Sequence, residues 1–488
     1  MKLKKLLKDV EVISLIGSDE VEILAVEYDS RKVENNSLFI CINGSNINSH
    51  IFIEDCKKRG AVCFLIEEDV DYEEGYTYVK VRNTNASMSI IANNFYDNPS
   101  KKINLIGVTG TNGKTSIATF LREIFKLKCN CGFIGTTCID DGENLLKTDN
   151  TTPNNIEIQK NLYNMIQNNC EYCFMEVSSH ALSLNRVDNL QYNIGIFTNL
   201  TEDHLDYHKT FEEYRKAKEK LFYKTTDKNI INIDDINGRI ILDNIRNLKI
   251  PYYTYGMNNT GTFTAKDVKL HEDKTIYTLI GPNDIEKEIV LNMAGQFTVY
   301  NSLAVICTCY ALNMDIDEII LYLRNLKSVS GRFEKVENNK GLNVFVDYAH
   351  TPDALDNVLK SVKSFVKGNI ITVFGCGGNR EKGKRPIMGS IAQKYSDLVI
   401  ITSDNPRFEE PEDIINDIVK GIDKNKENYL IIEDRKEAIK KAIESATTRD
   451  VVLIAGKGHE NYQIIKDKVL DFDDKKIAKE IIEKEAVQ

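Results

Sequence analysis

The sequence of 488 residues predicts an α/β protein of three domains. These are a small N-terminal α/β domain, a central parallel sheet with a small β insertion, and a C-terminal doubly wound, Rossmann-like domain. Three observations predict this. The chain is longer than one hydrophobic core usually serves. From Asn104 onward, short apolar runs alternate with helical patterns, as in a mostly parallel sheet covered on both faces. The alternation breaks once, between Tyr252 and Leu291, where stretches such as Thr275 to Leu279 follow period two, and it resumes near Gly331.

From about residue 21 to 99 the predicted strands are Phe39 to Ile42, Val62 to Ile66 and Tyr78 to Val81, with one helix between them and another from Ala86. The central series predicts strands at Asn104 to Thr109, Phe133 to Thr136, Tyr172 to Val177, Gly195 to Thr198 and Asn229 to Ile233. Its helices run from Ile117 to Phe125, from Pro153, near Phe211 to Tyr223, and near Thr298 to Leu312 after the insertion. The third series predicts strands at Asn343 to Asp347, Ile370 to Phe374, Leu398 to Thr402, Leu430 to Ile432 and Val451 to Ala455, each followed by a loop containing Gly, Pro or Asp. The domain limits expected from this are 1–100, 101–330 and 331–488.

Hydrophobic content of 42% and charged content of 28% are those of an ordinary soluble globular chain. No apolar run approaches the roughly 20 residues that span a bilayer, so membrane insertion is not expected. The start Met1-Lys2-Leu3-Lys4-Lys5 is basic, but Asp9, Glu11, Asp19 and Glu20 follow without a long apolar stretch, and the cytoplasm is the expected compartment. Eleven scattered cysteines, an odd number, read as reduced core thiols. The pairs Cys129/Cys131, Cys170/Cys173 and Cys307/Cys309 lack a second pair or histidine at zinc-finger spacing. A net charge of −10 and the lack of a basic tract interleaved with aromatics argue against a nucleic-acid partner.

Val108-Thr109-Gly110-Thr111-Asn112-Gly113-Lys114-Thr115 sits where an apolar strand gives way to a helical pattern. Two glycines let consecutive N–H groups turn toward one anion, Lys114 can reach outer phosphates, and the Thr115 hydroxyl can join a Mg²⁺ shell at the helix N-terminus. A strict P-loop has Gly where Val108 stands. The alternative is an ordinary strand-to-helix turn. The expected reading is a P-loop ATPase-like centre that binds a nucleotide triphosphate.

Working residues in open α/β sheets collect at the carboxyl ends of strands. Glu176 ends one, followed by Ser178-Ser179-His180; another leads into Asn199-Leu200-Thr201-Glu202-Asp203-His204 and on to His208. Glu176 and His204 are placed to complete Mg²⁺ coordination beside Thr115. For the histidines the competing role is capping the next helix, and Lys218, among Arg215, Lys216 and Lys220, would ordinarily belong to a solvated face. In the third series, Gly375 to Arg380, Ser403-Asp404-Asn405-Pro406-Arg407 and Gly456-Lys457-Gly458-His459-Glu460 are three loops after strands. A guanidinium, carboxylates and exposed N–H groups suit a zwitterionic amino acid.

With these motifs together, the chain resembles the Mur ligase family along essentially its whole length. The resemblance implies ATP-dependent amide formation with ATP and Mg²⁺: a D-Glu carboxylate attacks the γ-phosphate, and an amine displaces phosphate from the acyl-phosphate. It implies a UDP-sugar domain, an ATP domain and an amino-acid domain in chain order, and a monomer. Gly110, Thr111, Asn112, Gly113, Lys114 and Thr115 would bind the phosphates, with Asn301, Arg332 and Asp347 on the nucleoside. Thr115, Glu176, His204 and Lys218, the last as N6-carboxylysine, would hold metal, and Lys114, Lys218, His204 and Glu176 would be catalytic. Ser30, Asn150, Thr151, Thr152, Ser178 and Arg186 would bind UDP-N-acetylmuramoyl-L-alanyl-D-glutamate. Asp404-Asn405-Pro406-Arg407 resembles the family's DNPR motif and, with Arg380, Gly456 and Glu460, implies meso-diaminopimelate as the added amino acid. Leu184, Thr298 and Asn48-Ser49 depart from residues common in the family. The competing expectations are lysine as acceptor, a folylpolyglutamate-type substrate, and a nucleotide-dependent binding module without bond formation.

Overall fold

The computed structural model describes residues 1–44, 47–148 and 150–484, so the last four residues of the expected third domain lie outside the described residues. Three main sheets follow one another along the chain. The first has the order Val12–Ile16, Thr77–Val81, Ala61–Ile66, Ser37–Ile40, Ala25–Glu27, parallel except for the antiparallel edge strand Val12–Ile16. That edge strand precedes the region where strands were expected; its residues are largely exposed and present no buried alternation.

In the second sheet Asn104–Thr109 lies between Tyr172–Glu176 and Tyr192–Phe197, all parallel. Ile106, Val108, Phe174 and Ile196 are buried because helices cover both faces, which is why these strands read as apolar runs. The chain leaves the central strand toward neighbours on either side, so the loop after Thr109 opens at the topological switch point. The stretch expected as one insertion divides. Tyr252–Gly256 pairs parallel with Thr225–Asn232 and extends the main sheet, while Phe263–Leu270, Thr275–Gly281 and Ile285–Leu291 form an antiparallel meander on it.

The third sheet has the order Glu334–Lys335, Asn343–Asp347, Val451–Ala455, Ile370–Phe374, Leu398–Ile401, Tyr429–Ile431, parallel after its first strand. A hairpin, Tyr462–Ile465 with Lys468–Asp471, was not expected. Its second strand is exposed, while its first is half-buried and donates the Ile464 N–H to Asn405 Oδ1 at 2.9 Å.

Local rules set the helices around the sites. Lys114–Phe125 buries Ile117, Ala118, Leu121, Ile124 and Phe125, an i, i+4, i+7 stripe. Pro352–Phe365 starts on Thr351, whose hydroxyl accepts from the Ala354 N–H, with Pro at the first helical position. Contacts between the units are specific. Asn154 Nδ2 donates to the Tyr28 hydroxyl at 2.7 Å, joining the first unit to the second, and Asn112 Nδ2 donates to Asp353 Oδ2 at 2.8 Å, joining the second to the third.

Candidate active site

The phosphate loop is held open by its neighbours. Gly110 has φ +150° and a Cβ there would lie 1.8 Å from Thr198 Oγ1; Gly113, at φ +88°, would place a Cβ 2.7 Å from Asn301 Oδ1. Both positions therefore require glycine. The segment after Tyr192–Phe197 fixes the turn: Thr111 N–H donates to Asn199 O at 2.9 Å, and the Thr198 hydroxyl donates to Asn112 O at 2.6 Å.

Lys114 Nζ donates to the Gly110 and Thr111 carbonyls at 3.0 and 2.9 Å, at the mouth of the loop. Burial lowers its pKa below the usual lysine value. Thr115 donates its hydroxyl to Glu176 Oε2 at 2.8 Å, and Thr136 N–H donates to Glu176 Oε1 at 2.8 Å. Glu176 is fully buried. Two oxygen donors side by side at the start of the loop helix are the ligand type that Mg²⁺ takes when it keeps several waters. Among the described residues no three His, Cys, Asp or Glu side chains form a closed metal cage.

Among the described residues His204 makes no hydrogen bond or ion pair with Glu176. Its Nε2 lies 3.3 Å from Asp203 Oδ2 and its ring 4.7 Å from the His180 ring, on the segment that turns into the helix Leu205–His208. Burial pushes its pKa down to about 4. His208 is buried, its Nε2 3.0 Å from Ser179 Oγ. Lys218, expected on a solvated face if taken alone, is 2% exposed. Its Nζ donates to Gly110 O at 2.7 Å and sits 4.6 Å from the Tyr214 ring centroid. No carboxylate pairs with it among the described residues, and burial drives its pKa well below the ordinary lysine value.

The third unit reaches over this centre. Arg332 Nη2 donates to Thr115 Oγ1 at 3.2 Å while the guanidinium lies 4.5 Å from the Tyr348 ring centroid. Its Nε is buried without a hydrogen-bond partner among the described residues. Asp347 accepts from the Phe333 and Ala349 N–H groups, both at 2.7 Å, and burial raises its carboxyl to about 6. Asn301, Arg332 and Phe333 line a crevice with Thr298, whose hydroxyl is turned inward onto Gly295 O.

On the other flank, Thr152 donates to Glu176 O at 2.7 Å and accepts from Ser178 N–H, and Arg186 Nη1 donates to Thr152 O at 3.1 Å. Thr151 Oγ1 accepts from Thr136 at 3.0 Å. These residues gather beside Glu176. Ser30 is half-buried on the 3-10 turn Ser30–Lys32, two residues from Tyr28, whose hydroxyl accepts from Asn154 of the second unit. Asn150 is exposed and bonds Thr148 instead. Leu184 is also exposed.

The three loops of the third sheet converge on one another. Asn405 Nδ2 donates to Glu460 Oε2 at 2.8 Å, and a Cβ on Gly456 would lie 2.7 Å from Asp404 Oδ2. Arg407, at φ +54°, sends Nη1 to Gly378 O at 2.9 Å, and Pro406 O packs against Gly378. No carboxylate pairs with Arg407 among the described residues. Arg380 is exposed at the loop tip, and its stem lies beside Gly377 together with Arg407: a Cβ on Gly377 would lie 3.8 Å from Arg380 Cγ and 2.9 Å from Arg407 Nη1.

Three contributors escaped the sequence. Thr136 lies two residues past the end of Cys131–Ile134 and would have surfaced in a fuller census of strand ends. Asp353 follows the end of Asn343–Asp347 by six residues. Arg435 is fully buried in a helix, its guanidinium bidentate on Asp474 at 2.8 and 2.7 Å; nothing in its local sequence signals burial.

A model of the Mur ligase middle domain matches residues 108–309, and one of the Mur ligase glutamate ligase domain matches residues 331–458. The chain is 53% identical over 485 residues to the UDP-N-acetylmuramoyl-L-alanyl-D-glutamate–2,6-diaminopimelate ligase of Clostridioides difficile, covering 99% of this chain and 100% of that one. It is 45% identical over 488 residues to the ligase of the same name from Alkaliphilus oremlandii, covering 100% of both. A solved structure bearing that ligase name superposes with a TM-score of 0.71 at 29% identity, covering 100% of this chain and 99% of the other. The two domain matches and full-length identity at this level establish that the chain belongs to the Mur ligase family.

Proposed function

We propose that the chain is an ATP-dependent acid–amino-acid ligase that adds meso-2,6-diaminopimelate to UDP-N-acetylmuramoyl-L-alanyl-D-glutamate, in cytoplasmic synthesis of a peptidoglycan precursor. The relatives named for that reaction support it over their full length. The observation that carries the choice of amino acid is Arg407, a guanidinium at the convergent loops with a backbone carbonyl partner and, among the described residues, no paired carboxylate. Asp404 and Glu460 suit the ammonium of either lysine or diaminopimelate. Only diaminopimelate brings a second carboxylate to Arg407, and leaving that guanidinium unpaired costs roughly 2–5 kcal/mol, about 30- to several-thousand-fold.

On this reading residues 1–100 bind the UDP-sugar, 101–330 bind ATP and 331–488 bind the amino acid. All three sites come from one chain, as a working monomer requires. Ser30, Thr151, Thr152, Ser178 and Arg186 hold the muramoyl dipeptide beside Glu176, with Asn150 at the outer edge of that site. The N–H groups of 110–115 cradle the triphosphate, and Lys114 turns from its two carbonyls to the outer phosphates. Asn301, Arg332 and Asp347 hold the nucleoside side, and Arg332 also closes over Thr115.

The D-Glu carboxylate oxygen forms a bond to the γ-phosphorus and ADP leaves. The neutral amine of diaminopimelate then attacks the acyl carbon, loses its proton, and expels phosphate from the tetrahedral intermediate. Thr115 and Glu176 would hold Mg²⁺ and Lys218 as a carbamate a second ion, with His204 joining them if its imidazole turned from Asp203 and His180; the metal when bound would neutralise charge on the transferring phosphoryl group. Burial and the nearby Lys114 outweigh the charge of Asp203, so the Lys218 amine is favoured in its neutral form, the form that adds CO2 to give an anionic carbamate.

The test is isotopic. With both oxygens of the reacting D-Glu carboxylate labelled as ¹⁸O, one label is expected in the released phosphate and one in the new amide. Phosphate without label would exclude the acyl-phosphate route.

A further inference from the structure

We propose that Lys457 is a positioning residue of the amino-acid site, holding the Asn405 amide and the Glu460 carboxylate in the arrangement that receives the acceptor's ammonium. The inference rests on the reading above and deepens it. The Lys457 side chain is fully buried behind the loop after Val451–Ala455. Its three N–H groups meet three acceptors: Asn405 Oδ1 at 3.3 Å, Glu460 Oε2 at 3.3 Å and the Tyr462 carbonyl. None is left for a substrate, so Lys457 acts through its neighbours.

Its effect on Asn405 is directional. Oδ1 receives both the Lys457 ammonium and the Ile464 N–H at 2.9 Å, which turns Nδ2 onto Glu460 Oε2 at 2.8 Å. Oε2 thus takes two protein donors. Among the described residues Oε1 has none, and it is the oxygen free to accept from a bound ammonium. Lys457 also opposes the protonation that burial favours at Glu460. Without the lysine, Asn405 loses one of the two donors that set its amide, and Glu460 loses its nearest cation.

The experiment is steady-state kinetics of Lys457→Met, varying each of the three substrates in turn and recording the melting temperature. KM for meso-diaminopimelate is expected to rise roughly tenfold or more, with KM for ATP and for the UDP-dipeptide unchanged. Lys457→Met combined with Glu460→Gln is expected to be no worse than Glu460→Gln alone, because the two act as one unit. Equal shifts in all three KM values, an unchanged KM for diaminopimelate, or additive losses in the double variant would overturn the proposal. Should Lys457→Met give no soluble protein, Lys457→Gln is measured in its place against the same outcomes. Failure of the parent to use diaminopimelate would instead overturn the substrate assignment, so the two failures are distinguishable.

Discussion

Replacing Lys218 by methionine should remove turnover while leaving the protein as stable as its parent, a combination that a purely structural lysine could not give. The side chain is 2% exposed, and among the described residues its one hydrogen bond goes to Gly110 O. Losing that bond costs about 1 kcal/mol at most, because Lys114 Nζ still donates to the same carbonyl at 3.0 Å. Against this, methionine matches the aliphatic stem and ends the need to bury an amine whose pKa is driven down. Each unit of that displacement is worth about 1.4 kcal/mol. The expected stability change is therefore between a loss of about 1 kcal/mol and a gain. Turnover is expected to fall by roughly a thousandfold or more, since no carbamate can form. Chemical denaturation and phosphate release measure the two quantities, and added formate or acetate should restore part of the activity. Turnover within about tenfold of the parent, or destabilisation beyond about 3 kcal/mol, would refute the reasoning.

Gly110→Ala is expected to weaken ATP binding at least about tenfold, since its Cβ would fall 1.8 Å from Thr198 Oγ1 in a backbone conformation that alanine resists; isothermal titration measures it. Asp347 is protonated below about pH 6, so KM for ATP should rise as pH falls through that value, and Asp347→Asn should raise KM at neutral pH and flatten the profile. Arg385, whose side chain is fully buried, lies 2.9 Å from Glu409 and holds that carboxyl at about 2, below an ordinary value near 4.5. The stability this ion pair adds is present above the ordinary value and lost as pH falls toward 2. Glu409→Gln should therefore melt below the parent at neutral pH, with the gap closing in acid; a gap independent of pH would exclude the ion pair as its source.

The sequence carried the parallel strands almost to the residue where they are buried on both faces. Asn104–Thr109, Asn343–Asp347, Ile370–Phe374 and Val451–Ala455 were expected with the ends observed. It did not carry the edge strand Val12–Ile16, whose residues are largely exposed, or the hairpin at Tyr462–Asp471, whose first strand buries the polar Gln463 and whose second is exposed, so that neither shows an apolar alternation. Glycine placement made the phosphate loop legible, because φ values of +150° and +88° restrict what can stand there. Lys218 was not legible from spacing. Its burial follows from packing against Tyr214 and the back of the phosphate loop, contacts separated from it by four and by 108 residues. His204 was expected with Glu176 beside Thr115, because the strands that precede them flank Asn104–Thr109 on its two sides. In the structure the turn at φ +56° directs its imidazole to His180 and Asp203.

The central claim, that Arg407 selects the added amino acid, is tested most directly by ATP-dependent phosphate release with UDP-N-acetylmuramoyl-L-alanyl-D-glutamate and either meso-diaminopimelate or L-lysine, on the parent and on Arg407→Leu. The account predicts that the parent favours diaminopimelate in kcat/KM by about 30-fold or more and that the variant loses most of that preference. Equal use of the two amino acids by the parent, or a preference that survives in Arg407→Leu, would contradict it.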